Sequence, residues 1–369
     1  MTPSCEPRPG EAAALPPAPV RPTSRPSGPG SQAPRAGTGG GLAILVNANA
    51  KRGGRRVAAQ IGRALPGASV RLTRTTEEIG AWLQTLPAPR AILAAGGDGT
   101  VVALLNSLGR TRASAGSQPT VGILPLGTGN GWAHALGAPK LHRCLSLLAN
   151  TPGPLPYRRC GLIEVGGMLA HFAGIGWDAM ILDDYQRQLQ ASVGPSRRLS
   201  KSVYGYVAAT LLRTAPRVTL QGNPRVVIEN LGDAVYAPDA RGTPRLLEGV
   251  GPGSVLYDGP VGIASVATCP EFGYRFRAFP FAERMPGFLS VRAYNRPAVG
   301  AVVNIPRLWK GAHPMPGMHD WFATHIRMTC VRPMPLQIGG DAHGARRTIE
   351  YRAADREALM VDWRRLMVM

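Results

Sequence analysis

The chain has 369 residues, with 42 Lys and Arg against 22 Asp and Glu, for a formal net charge of +20. This length allows two domains with cores of their own, and the charge favours anionic partners such as nucleotides or acidic lipids. Its five cysteines contain no Cys-x-x-Cys pair, so neither a disulfide framework nor a zinc site is predicted.

Membrane, export and nucleic-acid signals are also missing from the sequence. No run of about 18 apolar residues predicts a membrane span, and the first residues lack the charged-then-apolar order of a signal peptide. No basic helix, RNP motif or zinc finger points to nucleic acid. We therefore expect a cytoplasmic protein without a transmembrane segment and without a nucleic-acid partner.

Residues 1–40 form the first compositional segment. They are rich in proline and glycine and hold few bulky apolar side chains. Such a stretch buries too little surface to offset its ordering entropy. The sequence predicts a disordered tail.

Residues 41–155 alternate between strand and helix patterns. The predicted strands are 42–46, 70–73, 91–95 and 121–124, and the predicted helices are 55–65, 77–86 and 101–108. This order predicts a parallel sheet with right-handed crossovers. The ligand site of such a sheet lies at the carboxyl ends of its strands.

Residues 156–369 are dominated by short β-type runs between glycines and prolines. These runs are 162–165, 218–220, 226–228, 261–266, 289–293 and 326–331. One helix is predicted at 202–214, and 233–259 is expected to be irregular. The fold class is therefore an α/β N-terminal domain with a parallel sheet, followed by a mainly antiparallel β domain.

Two glycine-rich turns follow strands of the first domain and precede predicted helices. They are Gly96-Gly97-Asp98-Gly99-Thr100 and Leu126-Gly127-Thr128-Gly129-Asn130. Glycine lets a backbone approach a ligand closely, and free N–H groups between a strand and a helix suit phosphate. Two such turns could grip one polyphosphate, although Asp98 could equally serve only as a helix cap.

At these motifs the chain resembles the lipid kinases of the diacylglycerol kinase, sphingosine kinase and YegS group, which share a catalytic domain. The similar elements are Val46-Asn47-Ala48, Thr73, Ala95 to Thr100, Pro125 to Asn130, Phe172 to Ala179, Gly205-Tyr206, Gly311-Ala312-His313 and Gln337 to Asp341. The resemblance runs from about residue 42 to residue 345. It implies a fold like that of diacylglycerol kinase and NAD kinase.

The resemblance further implies transfer of phosphate from ATP to a lipid hydroxyl, with Mg²⁺, at a membrane surface. The implied nucleotide-binding residues are Asn47, Thr73, Gly96, Gly97, Asp98, Gly99, Thr100, Gly127, Thr128, Gly129 and Asn130. Asp98 would serve the metal or the reacting phosphate, and Asp341 would be the general base. Asp178 would orient the lipid headgroup. Residues 337–345 would return from the lipid-substrate domain to the active site, and a homodimer is possible.

The sequence departs from the family pattern at four places. Gly339 stands where the family has an aspartate, Val102-Ala103 replace Asn-Glu, Gly131 replaces an aspartate, and Pro286 occupies a carboxylate position tied to a second metal. Asp341 itself replaces a glutamate. Two alternatives therefore stay open: a nucleotide- or lipid-binding protein that has lost catalysis, and an NAD kinase-like enzyme, whose relatives share the Gly-Gly-Asp-Gly-Thr loop.

Overall fold

The computed structural model describes residues 41–50, 54–111, 118–127, 129–177, 179–180, 222–297, 300 and 303–369. Within this part of the chain seven helices carry labels. They are α1 Arg55–Ala64, α2 Thr76–Thr85, α3 Asp98–Thr111, α4 Gly131–Ala135, α5 Leu141–Ala149, α6 Ile305–Trp309 and α7 Trp363–Leu366. None of the helices in the described ranges is long and apolar enough to cross a bilayer.

The first sheet has six strands. They are β1 Leu42–Asn47, β2 Ser69–Thr73, β3 Ala91–Gly96, β4 Thr120–Pro125, β5 Tyr157–Cys160 and β18 Ala358–Val361. Their order across the sheet is β2-β1-β3-β4-β18-β5. All neighbours are parallel except β5, which runs antiparallel to β18.

The first four strands and first three helices form for local reasons. Every residue of β3 is buried, as expected for a short apolar strand covered on both faces. The helix α2 begins at the cap of Thr75, whose side chain accepts from the Glu78 amide at 3.3 Å. The predicted elements of this region are thus present, and α3 begins three residues earlier than predicted.

The second sheet has twelve strands. They are β6 Ile163–Val165, β7 Met168–Ala170, β8 Phe172–Gly176, β9 Arg225–Asn230, β10 Tyr236–Pro238, β11 Pro244–Leu246, β12 Val255–Pro260, β13 Ile263–Ala267, β14 Leu289–Tyr294, β15 Met318–Ala323, β16 His325–Ile338 and β17 Asp341–Ala353. Its pairings are antiparallel. The predicted fold class, a parallel α/β part followed by an antiparallel β part, is confirmed.

The sheets do not divide at the boundary that the sequence predicts near residue 156. Strand β5 and the late strand β18 join the first sheet, and Trp363 of α7 is buried in the same core as β1, β3 and β4. This arrangement covers β4, which would otherwise be an exposed edge of the first sheet. The chain therefore returns to its first layer after the second sheet is complete.

The region 233–259 also differs from its expected irregular state. It contains β10 and β11, which pair with each other, and most of β12, which pairs with β9. These strands are short, partly exposed and interrupted by proline and glycine, so their sequence lacks a clear alternation. The strand predicted at 218–220 and the helix predicted at 202–214 lie outside the described residues.

Candidate functional site

The carboxyl ends of β1, β2 and β3 bring three predicted residues together. Asn47 and Thr73 are register partners at the ends of β1 and β2. The Asn47 side-chain amide donates to the Thr100 hydroxyl at 2.9 Å, and its oxygen accepts from the Asn49 amide at 2.8 Å. The Thr100 N–H donates to the Gly97 carbonyl at 3.0 Å. Asn47 and buried Thr100 therefore stabilise the first glycine turn through these hydrogen bonds.

The two glycine turns pack backbone against backbone. The N–H groups of Leu126 and Gly127 both donate to the Gly96 carbonyl, at 2.9 and 3.0 Å. A Cβ on Gly97 would stand 3.2 Å from the Gly127 Cα, and a Cβ on Gly127 would overlap Gly97. Only glycine at both positions permits this approach.

The Asp98 carboxylate ties the two turns to each other. Its oxygens accept from the backbone N–H groups of Gly131 at 2.9 Å and Trp132 at 2.8 Å. Burial raises the pKa of Asp98, and these amide hydrogen bonds oppose that rise. Asp98 is also the first residue of α3, where a negative charge is favourable. The residue is thus both a clamp between the turns and a carboxylate at the site.

Asp341 reaches the same place from the second sheet. It opens β17 directly after the turn Gly339-Gly340, and its Oδ2 lies 2.7 Å from the position of a Cβ on Gly99. Desolvation by the surrounding protein raises the pKa of the Asp341 carboxyl, and the electrostatic interaction with His343 opposes this rise. The charge of Asp341 also contributes, after burial, to the raised pKa of Asp98. The two carboxylates therefore interact electrostatically across the first turn.

Two departures from the family pattern are in direct contact. A Cβ on Gly339 would stand 2.8 Å from Cγ2 of Val102, and Gly339 has a φ of +59° that favours glycine. The aspartate and asparagine of the family are thus replaced by residues that fit each other. A third departure, Gly131, is covered by the backbone of 271–273, since its Cβ would lie 2.8 Å from the Glu271 carbonyl oxygen.

The loop 271–276 is a part of the site that sequence reasoning missed. The Tyr274 N–H donates to the Gly129 carbonyl at 2.8 Å, so the loop is bonded to the second glycine turn. Tyr274 and Arg275 have φ values of +50° and +62°, which are uncommon for residues with side chains. The only sequence signal was an isolated glycine between aromatic residues, which is too general to predict a role.

Of the remaining predicted site residues, Asn130 lies in the second turn with left-handed backbone angles. Its side-chain amide donates to the Gly127 carbonyl at 3.0 Å, while its Oδ1 is buried without a partner among the described groups. Thr128 and Asp178, together with Gly205 and Tyr206, lie outside the described residues.

A metal ion at this site would have few protein ligands. Within the described ranges, no group of three or more His, Cys, Asp or Glu side chains could hold one. Mg²⁺ usually binds through one or two carboxylates together with substrate phosphates. The Asp98 carboxylate fits that mode, because a cation beside it would offset the negative charge of Asp341 that contributes to the raised pKa of Asp98.

Known proteins resemble the chain in both sequence and structure. A family model for the diacylglycerol kinase catalytic domain matches residues 41–151. No curated protein matches the chain in sequence. A crystal structure of a candidate diacylglycerol kinase from Bacillus anthracis strain Sterne superposes with a TM-score of 0.58 at 16% identity, covering 87% of this chain and 94% of that one.

Two further solved structures are similar. A diacylglycerol kinase structure from the same organism has a TM-score of 0.54 at 14% identity, covering 87% of this chain and 96% of that one. An NAD kinase from Archaeoglobus fulgidus in complex with ATP has a TM-score of 0.45 at 12% identity, covering 89% and 96%, which is too distant to carry an argument. The first two structures show the fold alone. The family model alone relates residues 41–151 to the diacylglycerol kinase catalytic domain.

Proposed function

We propose that the chain is an ATP-dependent lipid kinase that transfers the γ-phosphate of ATP to a lipid hydroxyl. The observation that carries the proposal is the meeting of Asp98 and Asp341 at two glycine turns that pack against each other. Phosphoryl transfer needs donors for the phosphates, compensation of their charge and a group that takes the hydroxyl proton. The site offers a candidate for each.

The nucleotide phosphates would lie against the backbone of the two turns. The amino end of α3, a helix of 14 residues, points its N–H groups and its positive dipole end at this place. Gly97, Gly99 and Gly129 leave the approach free of side-chain carbons. Asn47 and Thr73 would frame the nucleotide beside β1, and Thr128 would contribute a hydroxyl.

Asp341 would act as the general base. Its raised pKa, caused by the protein around it, brings the carboxyl closer to neutral pH, where proton transfer is more effective. The Asp341 carboxylate would take the proton of the lipid hydroxyl as the hydroxyl oxygen attacks the γ-phosphorus. The bond from that phosphorus to the β–γ bridging oxygen would break, and ADP would leave with the electron pair. Because the side chain is exposed, that proton can pass on to water.

Mg²⁺ would be held by Asp98 together with the phosphates, and it would supply charge compensation. Two hydrogen bonds to backbone amides fix the orientation of the Asp98 carboxylate. Each of its oxygens still has a lone pair that could face a cation.

The lipid would enter beside Asp341 and the second sheet, with Asp178 orienting its headgroup. We infer a cytoplasmic protein that associates with the membrane surface without spanning it. A screen of lipid acceptors would identify the lipid that is phosphorylated. The molecular mass in solution would show whether the chain forms a homodimer.

One observation favours a second candidate, a nucleotide-binding protein without transferase activity. Val102 and Gly339 pack against each other at the positions where the family has an asparagine and an aspartate. The loss of those polar groups removes ligands that could serve the metal or the substrate. An NAD kinase-like activity is the third candidate, and it predicts a different acceptor.

The test is a transfer assay with the full chain, labelled ATP, Mg²⁺ and mixed lipid vesicles. A labelled lipid that is absent with Asp341→Asn supports the kinase proposal. If no label is transferred but ATP still raises the melting temperature, the non-catalytic candidate is favoured. Labelled NADP formed from NAD would favour the third candidate instead.

A further inference from the structure

An exposed surface around α6 combines apolar and cationic side chains. Val303, just before the helix, is 74% exposed, and Trp309 at its end is 41% exposed. Arg307 and Lys310 are exposed between and beside them. Exposed valine and tryptophan beside Lys and Arg are typical of proteins that rest on a membrane interface. We call these four residues the α6 surface.

The α6 surface is connected to the candidate site through the loop 271–276. The Phe276 ring stacks on Trp309 at 5.2 Å between centroids, and the Arg277 N–H donates to the Trp309 carbonyl at 3.1 Å. The Phe272 ring contacts both Phe276 and Phe172, at 6.4 and 4.3 Å. At the other end, the Tyr274 amide is bonded to the second glycine turn. A continuous aromatic path thus leads from the α6 surface to the site.

Cations outnumber acidic residues around this surface, where Glu271 of the neighbouring loop lies near Arg275 and Arg277. Between Glu283 and Asp320 the sequence contains no acidic residue, while its cations include Arg307 and Lys310. Arg275 and Arg277 of the neighbouring loop are exposed as well. A surface of this kind attracts an anionic bilayer, because each cation near anionic headgroups gains electrostatic energy. Its charge complements an anionic lipid surface better than a neutral or cationic one.

We propose that the α6 surface docks on an anionic lipid bilayer, with Val303 and Trp309 entering the interface and Arg307 and Lys310 contacting headgroups. This inference rests on the proposed lipid kinase function, since it explains how a membrane-embedded hydroxyl reaches Asp341. The half-buried rings of Phe272 and Phe276 would give the acyl region of that lipid an apolar surface beside the glycine turns. Docking itself requires neither ATP nor transfer.

The test is sedimentation of the full chain with vesicles of phosphatidylcholine, with or without phosphatidylglycerol, in the absence of ATP. The wild-type chain should bind the phosphatidylglycerol vesicles, and Arg307→Gln/Lys310→Gln should bind them on the order of twentyfold more weakly. The matched control is Lys140→Gln/Arg143→Gln, which also removes one exposed lysine and one exposed arginine, but from the surface around α5. That control should bind like the wild type.

The apolar contribution is tested by a second matched pair. Val303→Glu should weaken binding by about tenfold, whereas Val368→Glu, at a valine that is 85% exposed near Met369, should not. Equal losses in both pairs, or wild-type binding by the α6 variants, would overturn the proposal. So would a wild-type chain that binds neither vesicle.

A parallel assay separates this proposal from the kinase proposal. With lipid in detergent micelles, the α6 variants should keep the turnover of the wild type, because their residues lie outside the site. If neither the wild-type chain nor the variants transfer phosphate, but the α6 variants still lose vesicle binding, the kinase proposal fails and the docking proposal stands. If micellar turnover is normal and vesicle binding is unchanged in the α6 variants, docking fails and the kinase proposal stands.

Discussion

The two carboxylates of the site are held by regions of different construction. Asp98 lies in the first glycine turn, where α3 begins and where the first two backbone amides of α4, directly after the second turn, bind it. Asp341 opens β17 after a two-glycine turn, and its side chain makes no hydrogen bond to a described residue that would hold it in place. The Asp98 carboxylate is thus fixed within the glycine turns, whereas the Asp341 carboxylate is placed beside them by the hairpin of β16 and β17.

This difference separates structural from chemical contributions. Loss of the Asp98 carboxylate leaves two amides without an acceptor, so it should affect folding, nucleotide binding and turnover together. Loss of the Asp341 charge removes a repulsive partner of Asp98 and leaves the turns intact. The main effect of losing Asp341 should therefore be on turnover, and the two residues serve as controls for each other.

The largest effect is expected for Asp341→Asn. Without the general base, turnover should fall by about a thousandfold, while ATP binding stays within a few-fold of the wild type. Steady-state kinetics and ATP-dependent thermal shift measure the two quantities. Asp341→Glu, which restores the residue type of the family, should recover part of the turnover. Wild-type turnover in Asp341→Asn would contradict the role of this residue as the base.

A smaller loss of turnover, about a hundredfold, is expected for Asp98→Asn. An Asn side chain has one oxygen acceptor, so one of the Gly131 and Trp132 amides loses its partner. Unfolding free energy should fall by about 1–3 kcal/mol, and ATP affinity should fall with it. Urea unfolding and ATP titration test this combination. A variant that loses turnover but keeps its full stability would show that Asp98 is not a clamp.

The contact between the two turns is tested by Gly127→Ala. The new Cβ would overlap Gly97 and push the turns apart, so ATP affinity should weaken by about tenfold. The matched control is Gly62→Ala in α1, where a Cβ meets nothing within 4 Å. It should keep ATP affinity and gain about 0.5–1 kcal/mol of stability, because alanine favours helix over glycine. Equal ATP affinity in both variants would contradict the importance of the approach.

The smallest effect is a dependence of stability on pH. Because the folded-state pKa values of Asp98 and Asp341 are raised above the usual 3.8, the folded chain binds more protons than the unfolded chain above that pH. Their favourable contribution is full below about pH 3.8 and is lost as pH rises through the raised pKa values. Unfolding measured across this acidic window should show a shallower loss in Asp341→Asn. An unchanged slope would mean that Asp341 does not titrate with a raised pKa.

The sequence was sufficient for the first four strands of the parallel sheet. Apolar runs at β1, β3 and β4 and the helical spacing between them predicted the elements, because each strand is short, buried and bounded by turn residues. The start of α3 was placed too late, since a Gly-Asp-Gly sequence has low helix propensity and only the tertiary contacts of Asp98 extend the helix over it.

The antiparallel half was predicted less completely. Its class was recognised from short β-type runs, but β10, β11 and β12 lack an alternating apolar pattern and form through their pairing partners. In the first sheet, the parallel pairing of the late strand β18 with β4, which joins Met360 to Val121 across most of the chain, was likewise not predicted. No local pattern specifies a pairing between such distant segments.

For the site, local chemistry and long-range contact had separate roles. The two glycine turns and the resemblance to lipid kinases could be recognised in the sequence, and the family match confirms that resemblance for residues 41–151, because turn glycines are dictated by backbone geometry within a few residues. The neighbouring positions of Asp98 and Asp341, the fit of Val102 to Gly339 and the seating of loop 271–276 on the second turn came only from the tertiary structure. These contacts depend on how two sheets approach each other, and that approach is a property of the packed chain.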